Sequence, residues 1–317
     1  LSRLKKLVIN CKDLLSDREC IDFLSIIVWS KYTLTGDISE CNGFKVLYSF
    51  RIWDLLKSEH GYCTTTRCIA SNGCYISKVR KSLSKANIII VNHSLLCSEL
   101  LQDNSNLPEK FNYVIDEGHN LVSAARDQLI SKINSNSFDD IFSFYSINNI
   151  LYKKQVKDLI NVVPAAESYF FEIEKLGKSL KHDFRSFFES YILNKRTELY
   201  KSKYNEVKFR YTDSQYEFNN TFPVPFEILK NLKKYLREVE FFIVDVSNVK
   251  EKIDKVYFQE LRNVLNKLVM LVDIFSHALK NDNDSVKWST ISKRIGRSRA
   301  SLHSGPRDVG EFLYKNL

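Results

Sequence analysis

The chain has 317 residues, 44% of them hydrophobic and 27% charged, with only nine glycines and five prolines. Such a length and apolar content support about two domains with their own cores, and exclude a collagenous, low-complexity or wholly disordered chain. The longest apolar runs (Ile26–Trp29, Ile88–Val91, Leu268–Val272) fall far short of the roughly 18 residues of a membrane span, and 47 basic against 38 acidic residues, formally +9, are compatible with a polyanionic partner without proving one.

The chain begins at Leu1, its one methionine is Met270, and no signal segment precedes the first polar stretch. It therefore reads as a piece of a longer protein. Seven cysteines are an odd number, and a chain of this size needs no disulfide staples, which favours a reduced setting.

Residues 1–120 hold all seven cysteines and five of the nine glycines and read as mixed α/β. Helices are predicted over 21–30 and 76–86. The apolar runs Asn87–Val91 and Tyr113–Asp116 read as buried parallel strands, each ending in polar residues that begin a loop or helix. Residues 121–280 are helical by pattern. Tyr169, Ile173, Leu176, Leu180, Phe184, Phe187 and Tyr191 recur three or four apart. So do Leu229, Leu232, Leu236, Val239 and Phe242, and again Phe258, Leu261, Leu265, Leu268, Leu271, Phe275 and Leu279. Each series makes one apolar stripe, as in helices packed against one another. Between them, 205–212 and the prolines 223 and 225 predict loops or a short strand. Residues 281–317 start with a polar turn at 281–285. Val286–Ser292 and Arg299–His303 then read as a hairpin, and Asp308–Asn316 as a helix following Pro306. No internal repeat is visible.

The segment Tyr113-Val-Ile-Asp-Glu-Gly-His-Asn120 is the most informative. An apolar strand delivers its last carboxylates to the sheet edge where ligands of open α/β sheets sit. Asp116 can hold Mg²⁺, a hard cation that wants oxygen ligands, and Glu117 can polarise an attacking water. His119 can report the nucleotide state to a neighbouring element. The same letters also fit an ordinary strand end whose acidic residues complement a helix dipole.

Cys63, Cys68 and Cys74 lie within twelve residues, so they can converge at little loop-closure cost. They fit zinc, an iron–sulfur cluster or free buried thiols. Cys97 is most simply a small buried side chain. No glycine begins a GxxxxGK[ST] phosphate loop, so the chain by itself is not expected to hydrolyse ATP. Basic stretches at 78–85, 153–157, 178–185, 196–210 and 293–299 interleave with aromatics, and such mixtures either bind single strands or are ordinary solvated helix faces.

The segment at 113–120 resembles the DEAH-type Walker B box of superfamily-two helicases, written here DEGH. Residues 29–40 (WSKYTLTGDISE), the cysteine cluster, 87–96 (NIIIVNHSLL) and, more weakly, 302–317 resemble the DinG branch of the XPD-like iron–sulfur DNA helicases. The resemblance implies an α/β motor-domain fragment of the P-loop NTPase helicase type, with a cysteine-rich iron–sulfur insertion and a mainly helical arch domain. It assigns 1–86 to the insertion, 87–120 to motor strands with Walker B, 121–280 to the arch and 281–317 to a return to the motor. It further implies catalytic roles for Asp116, Glu117 and His119, with Asp116 and Glu117 also contacting the cofactor. Cys63, Cys68 and Cys74 would hold a [4Fe–4S] cluster, with Mg²⁺ and ATP bound in the complete protein. The fourth ligand lies just before Leu1, or Ser2 takes its place, or Cys11, Cys20 or Cys41 serves; the sequence leaves these open. Single-stranded or forked DNA is the implied partner, translocation is 5′→3′, and Lys78, Arg80, Lys81 and Lys85 are the first phosphate contacts. The implied protein is monomeric, has no membrane partner, and is cytoplasmic or nucleoid-associated, or nuclear in a eukaryote. A different class of reading, a metal-stabilised DNA-binding module with no motor, treats the acidic pair as incidental.

Overall fold

A computed structural model of the chain describes residues 2–46, 48–57, 74–83, 85–101, 107, 112–146, 149, 153–249, 253–281, 285–293 and 298–317. They form two compact units, one from the described residues up to Ile90 and the other from nearly all that follow. No described helix is long and apolar enough to cross a membrane.

The first unit contains α1 (Ser2–Leu14), α2 (Asp17–Tyr32), α3 (Phe50–Leu56) and α4 (Tyr75–Leu83). At the start of α2 the Glu19 carboxylate accepts from the Ser16 amide (3.0 Å) and hydroxyl (2.9 Å), so a side chain satisfies groups that the helix cannot. Leu7, Phe23, Ile26, Phe44 and Ile52 form the core. The helix predicted over 21–30 is longer than its pattern, and the one predicted over 76–86 ends earlier, at Leu83. Tyr75 fixes the start of α4: its hydroxyl donates to the Ser30 carbonyl at 2.9 Å. Its ring also lies against Gly36, where an added Cβ would come within 2.5 Å. Gly36 has φ +77°, so glycine there answers both the close approach and the left-handed backbone.

The second unit contains α5 (His93–Leu100), α6 (Leu121–Leu129), β1 (Ser131–Asn134), α7 (Asp139–Phe144), α8 (Lys153–Val162), α9 (Ala166–Asn194), α10 (Arg196–Lys201) and β2 (Glu206–Tyr211). After these come α11 (Ser214–Glu217), α12 (Pro225–Ser247), α13 (Lys255–Leu279), β3 (Ser285–Ser292), β4 (Arg299–Pro306) and α14 (Gly310–Asn316). The long helices α9, α12 and α13 pack together through the apolar stripes. In α9 the buried face includes Ile173, Leu180, Phe184, Phe187 and Tyr191, as the spacing predicts. In α12 and α13 it turns slightly, taking in Ile228, Tyr235, Tyr257 and Val264 in place of Leu229, Leu236, Phe258 and Leu265. Phe138 joins this core, packing edge-on to Tyr235 with ring centroids 5.1 Å apart and parallel to Phe184 at 5.9 Å. Pro225 opens α12, where its missing amide costs nothing.

The predicted hairpin forms: β3 and β4 pair antiparallel from Ser285–Pro306 to Ser292–Arg299. They are the central strands of a four-stranded sheet in the order β1-β4-β3-β2, antiparallel throughout. Strand β2 is the short strand allowed for at 205–212. The sheet's inner face meets the helices: Ile133, Ser289, Ile291 and Leu302 are fully buried. The helix expected near the C-terminus is α14. The predicted turn at 281–285 lies largely outside the described residues.

One expectation is corrected. Asn87–Val91 and Tyr113–Asp116 belong to no ladder, and the only sheet among the described residues is the antiparallel one, not a parallel motor sheet. Ile90 is 93% and Val114 97% exposed. The reason is partnership: a β-branched run becomes a buried strand only when a neighbour accepts its backbone hydrogen bonds, and no described strand lies beside either run. The described architecture is thus mainly helical with a small antiparallel sheet.

Candidate functional site

The DEGH segment forms a tight turn leading into α6. The Glu117 amide donates to Asp116 Oδ1 at 3.0 Å, and the Asn120 amide to the Glu117 carbonyl at 2.9 Å. Glu117 itself is left-handed, with φ 49° and ψ 46°, a region a non-glycine residue adopts only at a cost. This bend sets its carboxylate beside His119, with Nδ1 3.3 Å from Oε2. Both side chains are largely exposed, 67% for Glu117 and 72% for His119. Gly118, between them, leaves the turn unobstructed: the nearest atom to an added Cβ would be Ile115 Cγ2 at 3.9 Å.

A residue without an assigned role from sequence completes the arrangement. His93, the first residue of α5, donates from Nε2 to the Asp116 carbonyl at 2.9 Å. Its position is set by Asn92, whose side-chain oxygen caps α5 by accepting from the Leu95 amide at 2.8 Å. The Asn92-His93-Ser94 stretch and the DEGH stretch, distant in sequence, therefore meet edge to edge, and α5 packs beside α6. The signal was present in the quoted run at 87–96, but nothing in the letters tied its histidine to a backbone carbonyl. The structure brings Asp116, Glu117 and His119 together and adds His93.

The other predicted residues that are described lie in the first unit. Cys63 and Cys68 fall outside the described residues. Cys74 is half-buried, one residue before α4. Lys78 and Lys81 are exposed three residues apart on α4, Arg80 is half-buried, and Lys85 is exposed just beyond the helix. The Lys78 ammonium sits 5.8 Å from the Tyr75 ring centroid, so the residue that anchors α4 also steadies its first lysine. Among the upstream thiols, Cys41 is only 5% exposed and its Sγ lies 3.7 Å from the Ser25 carbonyl oxygen. Burial pushes its thiol above the ordinary range. Cys11 and Cys20 pack against the same core. Among the described residues no group of three His, Cys, Asp or Glu is arranged as a metal site. Cys97 is fully buried in α5, as its reading as a small core side chain requires.

The quoted stretch at 29–40 closes α2 and continues as a self-tied loop ending in a 3-10 turn at Ile38–Glu40. Thr33 and Thr35 both donate to the Glu40 carboxylate, at 2.8 and 2.6 Å, and Asp37 accepts from the Ser39 amide at 2.9 Å. That bond, with the Ser39 hydroxyl, holds the Asp37 carboxyl below its usual value.

No family model matches the chain. It is 27% identical over 141 residues to the ATP-dependent DNA helicase YoaA of Escherichia coli, covering 43% of this chain and 21% of that protein. It is 21% identical over 310 residues to the 3′-5′ exonuclease DinG of Bacillus subtilis, covering 91% of this chain and 31% of that protein. It is 23% identical over 214 residues to the YoaA helicase of Haemophilus influenzae, covering 64% of this chain and 32% of that protein. The chain thus spans between 21% and 32% of the length of these relatives.

Proposed function

From the chain's similarity to the YoaA helicases and to DinG, we propose that it is the iron–sulfur, Walker B and arch portion of an ATP-dependent DNA helicase that moves 5′→3′ along single-stranded DNA. The observation that carries the proposal is the bond from His93 to the Asp116 carbonyl. It fastens one family-like stretch to another and leaves two carboxylates exposed at the junction.

The donor set suits the chemistry. Asp116 uses Oδ1 on its own turn and keeps Oδ2 for a hard cation or its water shell. Glu117, bent out by its left-handed backbone, can accept a proton from an attacking water and aim it in line. His119 rests on Glu117, so a displacement of either is felt by the other, and this is the proposed coupling to movement. Bound Mg²⁺–ATP would supply the phosphoryl group and part of the charge neutralisation. The phosphate loop absent from this chain would hold it, so the chain alone does not turn over ATP. Cys63, Cys68 and Cys74 would ligate a [4Fe–4S] cluster that stiffens the entry to α4. Lys78, Arg80, Lys81 and Lys85 would then meet the phosphates of single-stranded or forked DNA. The parent protein would act as a monomer, in the cytoplasm or at the nucleoid, or in the nucleus of a eukaryote.

Glu117→Gln in the full-length protein tests this. ATP binding is expected to persist while turnover falls by about 10²-fold or more. Unaltered ATPase activity would overturn the assignment and leave the motor-free DNA-binding module as the better reading.

A further inference from the structure

The two faces of the antiparallel sheet differ in kind. The inner face is buried on the helices and mixes Ile133, Ile291 and Leu302 with the buried Ser289, Ser304 and Lys287. On the outer face the register sets Lys132, His303, Trp288 and Arg210 in one row across all four strands. The adjacent row is Asn134, Ser301, Thr290 and Lys208. The Trp288 and His303 rings are parallel to within 7°, with centroids 5.2 Å apart. Thr290 Oγ1 lies 3.0 Å from His303 Nε2 and steadies the imidazole. Trp288 also borders Gly305, at ordinary contact distance (3.9 Å) from where a Cβ would stand.

Lys132, Lys208 and Arg210 flank this pair and are exposed. None forms an ion pair among the described residues. Among the described strand residues this face carries one acid, Glu206, in the end row with Ser292 and Arg299. Adjacent strands lie about 4.8 Å apart, so the row from Lys132 to Arg210 spans about 14 Å. An ordinary solvated sheet face mixes both charges; this one has an aromatic pair at its centre and cations on both sides. Burial and the neighbouring Lys132 push the His303 pKa down to about 4, which makes its ring a neutral aromatic at physiological pH.

We propose that this outer face is a binding site for single-stranded DNA, with Trp288 and His303 stacking bases and Lys132, Lys208 and Arg210 contacting phosphates. Unpaired bases expose the π-faces that such a platform needs, whereas a duplex hides them. The site lies apart from the α4 lysines in sequence and in unit, and it rests on the DNA reading above only for its choice of ligand.

The test is anisotropy of a labelled oligothymidine of about 16 nucleotides with the 317-residue chain across a salt series. The double variant Lys132→Glu/Arg210→Glu changes exposed side chains only. It is expected to weaken binding about tenfold or more and to flatten the salt dependence. Trp288→Leu is expected to weaken binding about fivefold or more at an unchanged salt slope. Photocrosslinking of a 5-iodouracil strand, mapped by mass spectrometry, gives a reading independent of any variant, and is expected at Trp288 or His303. Unchanged affinity in the charge-reversed variant, or crosslinks confined to other segments, would overturn the proposal. Loss of binding in Lys78→Glu/Lys81→Glu but not in the sheet variants would also overturn it, while leaving the DNA contacts proposed for α4 standing. Equal affinity for duplex, or tighter binding of the matching RNA, would refute the choice of ligand.

Discussion

Tyr191→Phe is the sharpest test of how the helices hold the sheet. The Tyr191 hydroxyl is buried between three elements. It donates to Glu217 Oε1 at 2.6 Å and accepts from the Ser289 hydroxyl at 2.6 Å, joining α9 to α11 and to β3. The carboxylate takes the single phenolic proton, so the serine must be the donor. Burial and the Glu217 bond together hold the phenol well above its ordinary pKa, so it stays protonated. Phenylalanine keeps the ring and its stacking but removes both bonds. A bond to a charged group is worth about 1.5–3 kcal/mol, and a buried hydroxyl left without its partner costs about 1–3 kcal/mol. Glu217 retains Lys195 at 2.9 Å, and the serine hydroxyl can rotate, so the lower end of each range applies. The expected loss is about 2–3 kcal/mol, or about 5–10 °C in Tm for a domain of this size. Equilibrium urea unfolding followed by circular dichroism measures it. Adding Ser289→Ala removes the orphaned hydroxyl and should recover about 1 kcal/mol relative to the single variant. A Tyr191→Phe loss below about 0.5 kcal/mol would refute the reasoning, since the hydroxyl would then not be what ties the sheet down.

Two further outcomes follow from the same structure. The His303 pKa is lowered from 6.5 to about 4 by burial and Lys132, with Glu206 opposing and Lys208 adding to the shift. The unfolded chain therefore binds the proton more readily, and this contribution to stability is complete above about pH 6.5 and is lost as the pH falls towards 4. Solvent screening of a half-exposed ring leaves about 1–2 kcal/mol, which unfolding at pH 7 and pH 4.5 should show and His303→Gln should abolish. In metal-free protein, iodoacetamide should reach half-buried Cys74 well before Cys41 or Cys97, which are buried with thiols raised by burial; peptide mapping that finds Cys97 modified early in native protein would contradict its place in the core.

Local signals in the sequence translate well into structure. The 3.6-residue stripes, the hairpin and the C-terminal helix are all properties of neighbouring residues, and all are present. The stripes of α12 and α13 are off by one position at several turns because an apolar face is wider than one residue per turn. Tyr235 and Tyr257 also pack inward as rings, although their hydroxyls make them look like surface residues. Pairing is where the letters give out. Strand β1, Ser-Lys-Ile-Asn, has too little alternation to stand out, and its partner β4 lies at the other end of the unit. The runs at 87–91 and 113–116 carry strong β composition, but composition does not supply a neighbour. At the site, Asp116, Glu117 and His119 are adjacent in sequence and so were legible as a group, whereas His93 acts through a contact that only the folded chain makes. The Trp288–His303 platform was equally hidden, because a hairpin shows which residues face each other only once its register is known.

The order of the strands has a consequence for how the chain comes to be folded. Ser131 pairs with Ser304, so β1 leaves the ribosome long before the strand that will cover it. At roughly 5–20 residues per second the wait is about ten to thirty seconds, during which β1 has no strand neighbour. Helices α9, α12 and α13 can pair locally in that interval, and the sheet then closes last, against a surface already assembled. A chain truncated anywhere before β3 loses both central strands and leaves β1 and β2 with nothing to join them. The last thirty-odd residues thus act as the clasp of the second unit, and recombinant pieces that stop short of them should accumulate as helical, sticky intermediates rather than as a smaller native domain.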